Sequence, residues 1–136
     1  PILTASGYTF IQSGVIWGWR VLSRNAPFAD SQSGDVKRIM VVMTDGANTR
    51  SPNYPDHSGS DTTLANNLLT ETCTNAKAAG IEIYAIAFDV ADPTITGLLG
   101  ACASGPPYFY TASTITELTD AFQSIGRSLT QVRMMQ

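Results

Sequence analysis

Apolar residues fall in three strand-length runs, and the stretches between them carry helical spacing. Arg38–Thr44 holds Ile-Met-Val-Val-Met between its ends, Ile81–Phe88 is apolar except at Glu82, and Pro107–Thr111 carries Tyr-Phe-Tyr. The first two are nearly continuous in β-branched and aromatic residues, which predicts strands covered on both faces. Between them, Leu64, Leu68, Leu69, Thr72, Cys73 and Ala76 make one stripe of a helix over Thr63–Ala79. Gly80 follows, where a left-handed residue closes a helix. A second helix is predicted from about Ala91 to Cys102, with Pro93 in its first turn. A third runs from about Thr114 to Val132, opened by the capping-box spacing of Thr114 and Glu117, with Ser113 as a competing cap. Leu118, Phe122, Ile125, Leu129 and Val132 then recur on one side of it. An N-terminal helix covers about Phe10–Ser23 and carries Ile11, Val15, Trp19 and Leu22 together. Trp17 and Trp19 are two residues apart and cannot share a face, so one of them is core.

Strand alternating with helix implies parallel crossovers, hence an α/β three-layer sandwich around a parallel sheet, in one domain over residues 1–136. Two connections are irregular, Arg24–Lys37 and Gly46–Thr62, and the second is long enough to expect a function of its own. Three strands make a thin sheet. Ile39–Thr44 is apolar on both faces, yet it is the first strand in the chain. Something is expected to pair with its other side: a strand outside the chain or another molecule.

Composition narrows the class. Of 136 residues, 43% are hydrophobic and 14% charged, which excludes a disordered tail. A net charge of −3 with only two lysines offers no basic footprint for nucleic acid. Clean apolar runs such as Ile39–Met43 are far too short to span a membrane. The sequence begins at Pro1 without an initiator Met or a leader. It reads as an excised or processed piece, with any membrane anchor upstream of it. One histidine is too few for a zinc site of the usual kind, and no Gly-rich or Walker-type loop offers a nucleotide site.

The chemistry-bearing residues gather at predicted strand and helix ends. Asp45, in Thr44-Asp45-Gly46, sits where the first strand stops, and ligand sites of open α/β sheets lie beyond that edge. It has the choice of holding a metal, a metal-bound water, or only the backbone of its loop. The Thr9 hydroxyl, ahead of the first helix, either caps that helix or faces the same cleft. Hydroxyl and carboxylate oxygens suit hard cations such as Mg2+ or Ca2+. His57 lies between Asp56 and Ser58, but three neighbours in sequence seldom have triad geometry. Tyr54 and His57 read better as contacts to a protein partner. The alternative is a metal-dependent hydrolase using Asp45 and His57, for which Asp89 is the one second carboxylate to check. Cys73 and Cys102 fit one disulfide, closing a loop of about thirty residues, or two buried thiols.

Gly7-x-Thr9, the helix with Gly14-x-x-x-Gly18-Trp19, and Val41-Val-Met-Thr-Asp-Gly-Ala-Asn48 together resemble the von Willebrand factor A domain. Cys73-Thr-Asn-Ala-Lys-Ala-Ala-Gly80, Ile83-Tyr-Ala-Ile-Ala-Phe88, Cys102-Ala-Ser104, Tyr108-Phe-Tyr110 and the terminal Glu117-Leu118-x-x-Ala121-Phe122-x-x-Ile125 helix resemble its bacterial TadG-like branch, linked to Tad/Flp pilus assembly. The resemblance implies a Rossmann-like fold and a non-enzymatic, protein-binding role. It implies a metal-ion-dependent adhesion site in which Thr9 and Asp45 supply oxygens and an acidic group of the partner completes the coordination. Asn48, with the Gly46–Thr62 loop, would shape the rim beside Tyr54 and His57. The family's Asp-x-Ser-x-Ser motif is absent: Asp30-Ser-Gln-Ser33 and Asp56-His-Ser-Gly-Ser60 have the wrong spacing and lie in loops. The chain therefore resembles the C-terminal part of such a domain, without its first strands and helix. Mg2+ or Ca2+ belongs to the intact domain and is expected to bind weakly or not at all here. A domain that serves assembly contacts alone, without metal, is the remaining reading. Self-association through the bare Ile39–Thr44 edge is expected, as is a periplasmic or extracellular place with a membrane anchor in the full-length protein. That place, with the few lysines and the two cysteines, favours the disulfide.

Overall fold

The computed structural model describes residues 7–23, 28, 36–53 and 55–133. Along the chain run helix α1 (Ile11–Leu22), strand β1 (Arg38–Thr44), helix α2 (Thr62–Ala78), strand β2 (Ile81–Phe88), helix α3 (Pro93–Cys102), strand β3 (Phe109–Ala112) and helix α4 (Ile115–Arg133). The sheet has the order β1-β2-β3 and every pairing is parallel. Arg38 to Thr44 register with Ile81 to Ala87, and Ala85 to Phe88 with Phe109 to Ala112. The expected alternation of strand and helix is what the chain builds.

Three layers follow from two apolar faces. On one face, Ile11 and Val15 of α1, Leu69, Cys73 and Ala76 of α2, and Ile95, Leu99 and Cys102 of α3 pack on Met40, Val42, Ile81, Ile83, Ala85 and Ala87. On the other, Ile125 of α4 packs on Tyr84 and Ile86, with Leu118, Leu129, Tyr108 and Tyr110 around them. β2 is paired on both edges and covered on both faces, so Ile83 through Ala87 are all buried.

Local chemistry sets the element ends. Asp61 caps α2 by accepting the Leu64 N–H at 2.9 Å, and Gly80 takes the left-handed φ of +78° that ends it. Asp92 accepts the Thr94 N–H at 2.8 Å, so α3 starts at Pro93, not near Ala91. The third strand starts at Phe109, later than expected. Pro106 and Pro107 have fixed φ and no N–H, and Pro106–Tyr108 forms a 3-10 turn instead. At the start of α4 the Thr114 hydroxyl accepts the Glu117 N–H at 3.2 Å. The Glu117 carboxylate accepts the Ser113 N–H at 2.6 Å and the Ser113 hydroxyl at 2.9 Å. These bonds hold the Glu117 carboxyl below its usual titration range.

The stripe of α2 differs from expectation by one step. Leu64 is exposed and Ala65 is buried in its place, because the buried face runs through Ala65, Leu69, Thr72, Cys73 and Ala76. On α4, Phe122 is exposed and Ala121 buried. Trp19 packs partly buried against the core and Trp17 stands exposed. Cys73 and Cys102 form a disulfide with Cα atoms 5.1 Å apart, joining α2 to α3. Beside it, the Lys77 ammonium donates to the carbonyls of Ala101 at 2.6 Å and Ala103 at 3.2 Å, closing the end of α3. Among the described residues no helix is long and apolar enough to cross a membrane.

Candidate functional site

The C-terminal ends of the parallel strands gather the polar residues singled out in the sequence. β1 ends in a turn that Thr44 closes on itself. Its buried hydroxyl donates to the Gly46 carbonyl at 3.0 Å and accepts the Gly46 N–H at 3.3 Å. Asp45 is left at the tip, exposed, and among the described residues its carboxylate has neither hydrogen bond nor ion pair. A side-chain carboxyl on a pinned turn is an available acceptor for a cation or a donor group.

Thr9 is brought to the same end by backbone bonds to the loop after β1. Its carbonyl accepts the N–H groups of Thr49 at 2.8 Å and Arg50 at 3.0 Å, and its own N–H donates to the Thr49 hydroxyl at 2.7 Å. Thr9 and Thr44 line one cavity, which places Thr9 beside the strand that ends at Asp45. The hydroxyl caps nothing: α1 begins two residues later without a side-chain cap from Phe10. The cap comes from Asn48, whose side-chain carbonyl accepts the Ile11 N–H at 2.8 Å.

Asn48, expected to shape the rim with its loop, lies beneath that loop with its side chain turned to the start of α1. It is 3% exposed, and its amide also donates to the Asn66 side chain at 2.9 Å, so one side chain ties β1's loop to α1 and α2. Burial of so polar a group is tolerated because its carbonyl and its amide both have partners. Tyr54 and Asp30-Ser-Gln-Ser33 lie outside the described residues.

His57 is exposed, in a tight turn at φ +55°, with its N–H on the Asn53 carbonyl at 2.7 Å and its ring 5.6 Å from that of Phe10. It lines an open cavity of about 550 Å3 with Tyr8, Ser13, Arg50 and Asp56. The Arg50 guanidinium stacks 3.5 Å from the Tyr8 ring centre and donates to the Ser58 carbonyl at 2.8 Å. Hydrogen bonding from Ser58 foremost, with the Arg50 charge adding, holds the Asp56 carboxyl below its usual range. The loop carrying these groups is clipped at its base by the Ser51–Gly59 bridge, where a Cβ on Gly59 would stand 2.5 Å from the Ser51 hydroxyl oxygen. Ser51, buried, also accepts the Asp61 N–H at 3.0 Å. Sequence reasoning missed Ser51 and Arg50. A Ser and a Gly eight residues apart carry no pattern until the loop closes.

For a hydrolase, His57 would need a carboxylate or nucleophile within hydrogen-bonding reach. Among the described residues no side-chain bond joins His57 to Asp45, Asp89 or any hydroxyl. Asp89, at φ +54° after β2, lines a separate cavity of about 440 Å3 with Thr111, Ser113 and Glu117. For a metal, Thr9 and Asp45 offer two hard oxygens, and a divalent cation takes six or more. Among the described residues no three His, Cys, Asp or Glu side chains come together as a metal-binding group. Among the described residues, Thr9 and Asp45 alone do not complete a cation site.

A family model for the von Willebrand factor type A domain matches residues 23–124. No curated protein and no solved structure matches the chain.

Proposed function

This chain belongs to the von Willebrand factor type A domain family, and from that premise we propose that its C-terminal strand edge is the binding face of a protein-adhesion module. Domains of this family are generally protein-interaction modules and often metal-dependent. The observation that carries the reading is the placement of two oxygen-bearing side chains at one end of the sheet: Asp45 on its pinned turn and Thr9, whose backbone is held by Thr49 and Arg50. In the completed domain these two would join further oxygens around Mg2+ or Ca2+, and an acidic group of the partner would face them. Asn48 positions α1 behind the site. His57, on its clipped loop, is the exposed group at the rim, beside Arg50 and Tyr8. The TadG-like motifs favour an exported pilus-assembly or surface protein, anchored outside residues 1–136. The disulfide agrees with an oxidising, periplasmic or extracellular setting. The likeness to the C-terminal part of the family's domain is part of the same proposal, and the open edge of β1 agrees with it.

Calorimetric titration of this chain with Mg2+ or Ca2+ is expected to give no micromolar constant, because two protein oxygens hold a divalent ion only weakly. Millimolar Mn2+ should still broaden the amide resonances of Gly46 and Thr9 first, and Asp45→Ala should abolish that broadening without changing the melting temperature. Broadening centred on Asp89 or Glu117 would place the cation elsewhere and sink this assignment.

The open β1 edge is also proposed as the route of self-association. Val41 and Met43 are 42% and 50% exposed on a strand that, among the described residues, is paired on one side only. Light scattering is expected to show a mass that climbs above 14.5 kDa as concentration rises. Val41→Lys, a charge on that edge, should return it to the monomer value, and a mass independent of concentration would contradict this.

A further inference from the structure

Next to the cavity that holds Thr9 lies the open space of about 550 Å3 lined by Tyr8, Arg50, Asp56 and His57. The two share Phe10 and Gly14 in their walls, so they adjoin. Arg50 is held in place on its own side of this space. Its guanidinium carbon stands 3.5 Å from the Tyr8 ring centre, and one amino group donates to the Ser58 carbonyl at 2.8 Å. A guanidinium has five N–H donors, and among the described residues no other acceptor takes one of them. Asp56 lines the same space. Hydrogen bonding from Ser58, foremost, keeps its carboxyl ionised, yet among the described residues it forms no ion pair with Arg50. The Ser51–Gly59 bridge clips the loop that carries Asp56 and His57, so these groups do not hang on a loose segment. A positive and a negative group thus face one space without touching, and the Phe10 and His57 rings, 5.6 Å apart, give it an apolar wall.

We propose that this cavity is a second, metal-independent contact for a protein partner, and that it takes a side-chain pair of opposite charge: a carboxylate on Arg50 and a lysine or arginine on Asp56. The inference deepens the adhesion reading above and rests on it for the partner being a protein. Charge decides the chemistry. A lone anion would meet Asp56 and a lone cation would meet Arg50, each at like charge in one space. A neutral group would leave both charges without a counter-ion once the partner excludes water. A pair answers both, and a carboxylate on a guanidinium has two parallel hydrogen bonds open to it. Exposure decides the size. Tyr8 is 71% exposed and His57 is exposed, whereas small-molecule sites enclose most of their ligand. A protein surface supplies the missing wall. Tyrosine and arginine are also enriched among the residues that carry most of the energy in protein interfaces. The methylene stem of the partner's basic side chain has the Phe10 and His57 rings to lie against. No oxygen of Asp45 or Thr9 takes part, so this contact and the metal site can fail separately.

The test uses the whole chain in a chelator, free of divalent metal, with a blocked peptide that carries aspartate and lysine two residues apart. That spacing sets both on one side of an extended chain, and both orders of the two residues are tried. Control peptides carry asparagine for the aspartate, glutamine for the lysine, or both. In nitrogen-edited NMR spectra the charged peptide, in at least one order, is expected at millimolar concentration to shift the Arg50 side-chain N–H and the amides of Asp56, His57 and Ser58. Each singly neutralised peptide should bind about threefold more weakly, the scale of a partly exposed ion pair. Arg50→Gln should bind the aspartate and asparagine peptides alike, and Asp56→Asn the lysine and glutamine peptides alike. The same spectra report whether each variant is folded. Equal binding of the doubly neutral peptide, equal or tighter binding of a singly charged one, unaltered discrimination by both variants, or no shift at millimolar peptide would overturn the proposal. Shifts that appear only when Mg2+ is added, centred on Gly46, would place the carboxylate at the Asp45 turn and overturn it too. The Mn2+ broadening described above reads the metal site by itself, so failure of the peptide leaves that reading standing.

Discussion

Reduction of the Cys73–Cys102 bridge is expected to destabilise the fold by about 3–4 kcal/mol, the chain-entropy value for closing a loop of this length, and to lower the melting temperature by roughly 10–15 °C. The bridge spans 29 residues and joins the late turns of α2 to the end of α3. Both sulfur-bearing side chains are buried against Leu69, Ile83 and Leu99, so the reduced thiols leave packing almost unchanged. The loss therefore falls on the unfolded state, which regains the freedom the loop denied it. Circular dichroism melts with and without a phosphine reductant measure it, and the Cys73→Ala/Cys102→Ala double variant should reproduce the reduced value to within the added cavity cost. A fall of less than 3 °C, with reduction shown by mass, would mean that the bridge constrains nothing the fold does not already hold.

Asn48→Ala is expected to cost about 2–4 kcal/mol, more than a surface polar residue would. The substitution leaves the Ile11 N–H without its acceptor at a buried helix start and frees the Asn66 side chain that Asn48 engages. Each orphaned polar group costs about 1–3 kcal/mol. α1 is otherwise held at this end by Gln12 on Thr72 at 3.3 Å and by the Thr9 contacts to Thr49 and Arg50. Loss of Asn48 should therefore also loosen Thr9. Urea unfolding followed by Trp19 fluorescence measures the first effect, and the Thr9 amide resonance the second. Asn48→Asp keeps the acceptor for Ile11 and should recover more than half the loss. Equal destabilisation by Ala and Asp would show that the amide, and not its carbonyl, is what holds α1.

Much of the fold was legible because the two core strands are apolar at nearly every position and the helices between them are bounded by Asp61, Gly80, Asp92 and Thr114, whose chemistry acts within a few residues. The errors lie where a second element decides. Leu64 and Ala65 are equally compatible with a helical stripe, and tertiary packing buries the smaller one. Pro107 looked like the head of a strand, yet two prolines in a row turn the chain before Phe109 can pair. The site was legible in part. Asp45 and Thr9 stand at strand and helix ends where α/β ligand sites form. The capping role of Asn48 was not legible, since nothing in an isolated Ala-Asn-Thr tells that its side chain will find the start of a helix 37 residues earlier in the chain.

The closed loop between Cys73 and Cys102 encloses all of β2 and α3. Pulled from its two termini, the oxidised chain transmits tension through the sulfur atoms and bypasses the middle of the sheet. About 100 Å of contour length stays hidden until the bridge is cut. Under load, α1, β1 and α4 can peel away while the central ribbon and its covering helix bear no direct pull. The oxidised chain thereby keeps a folded seed from which the outer pieces can re-form.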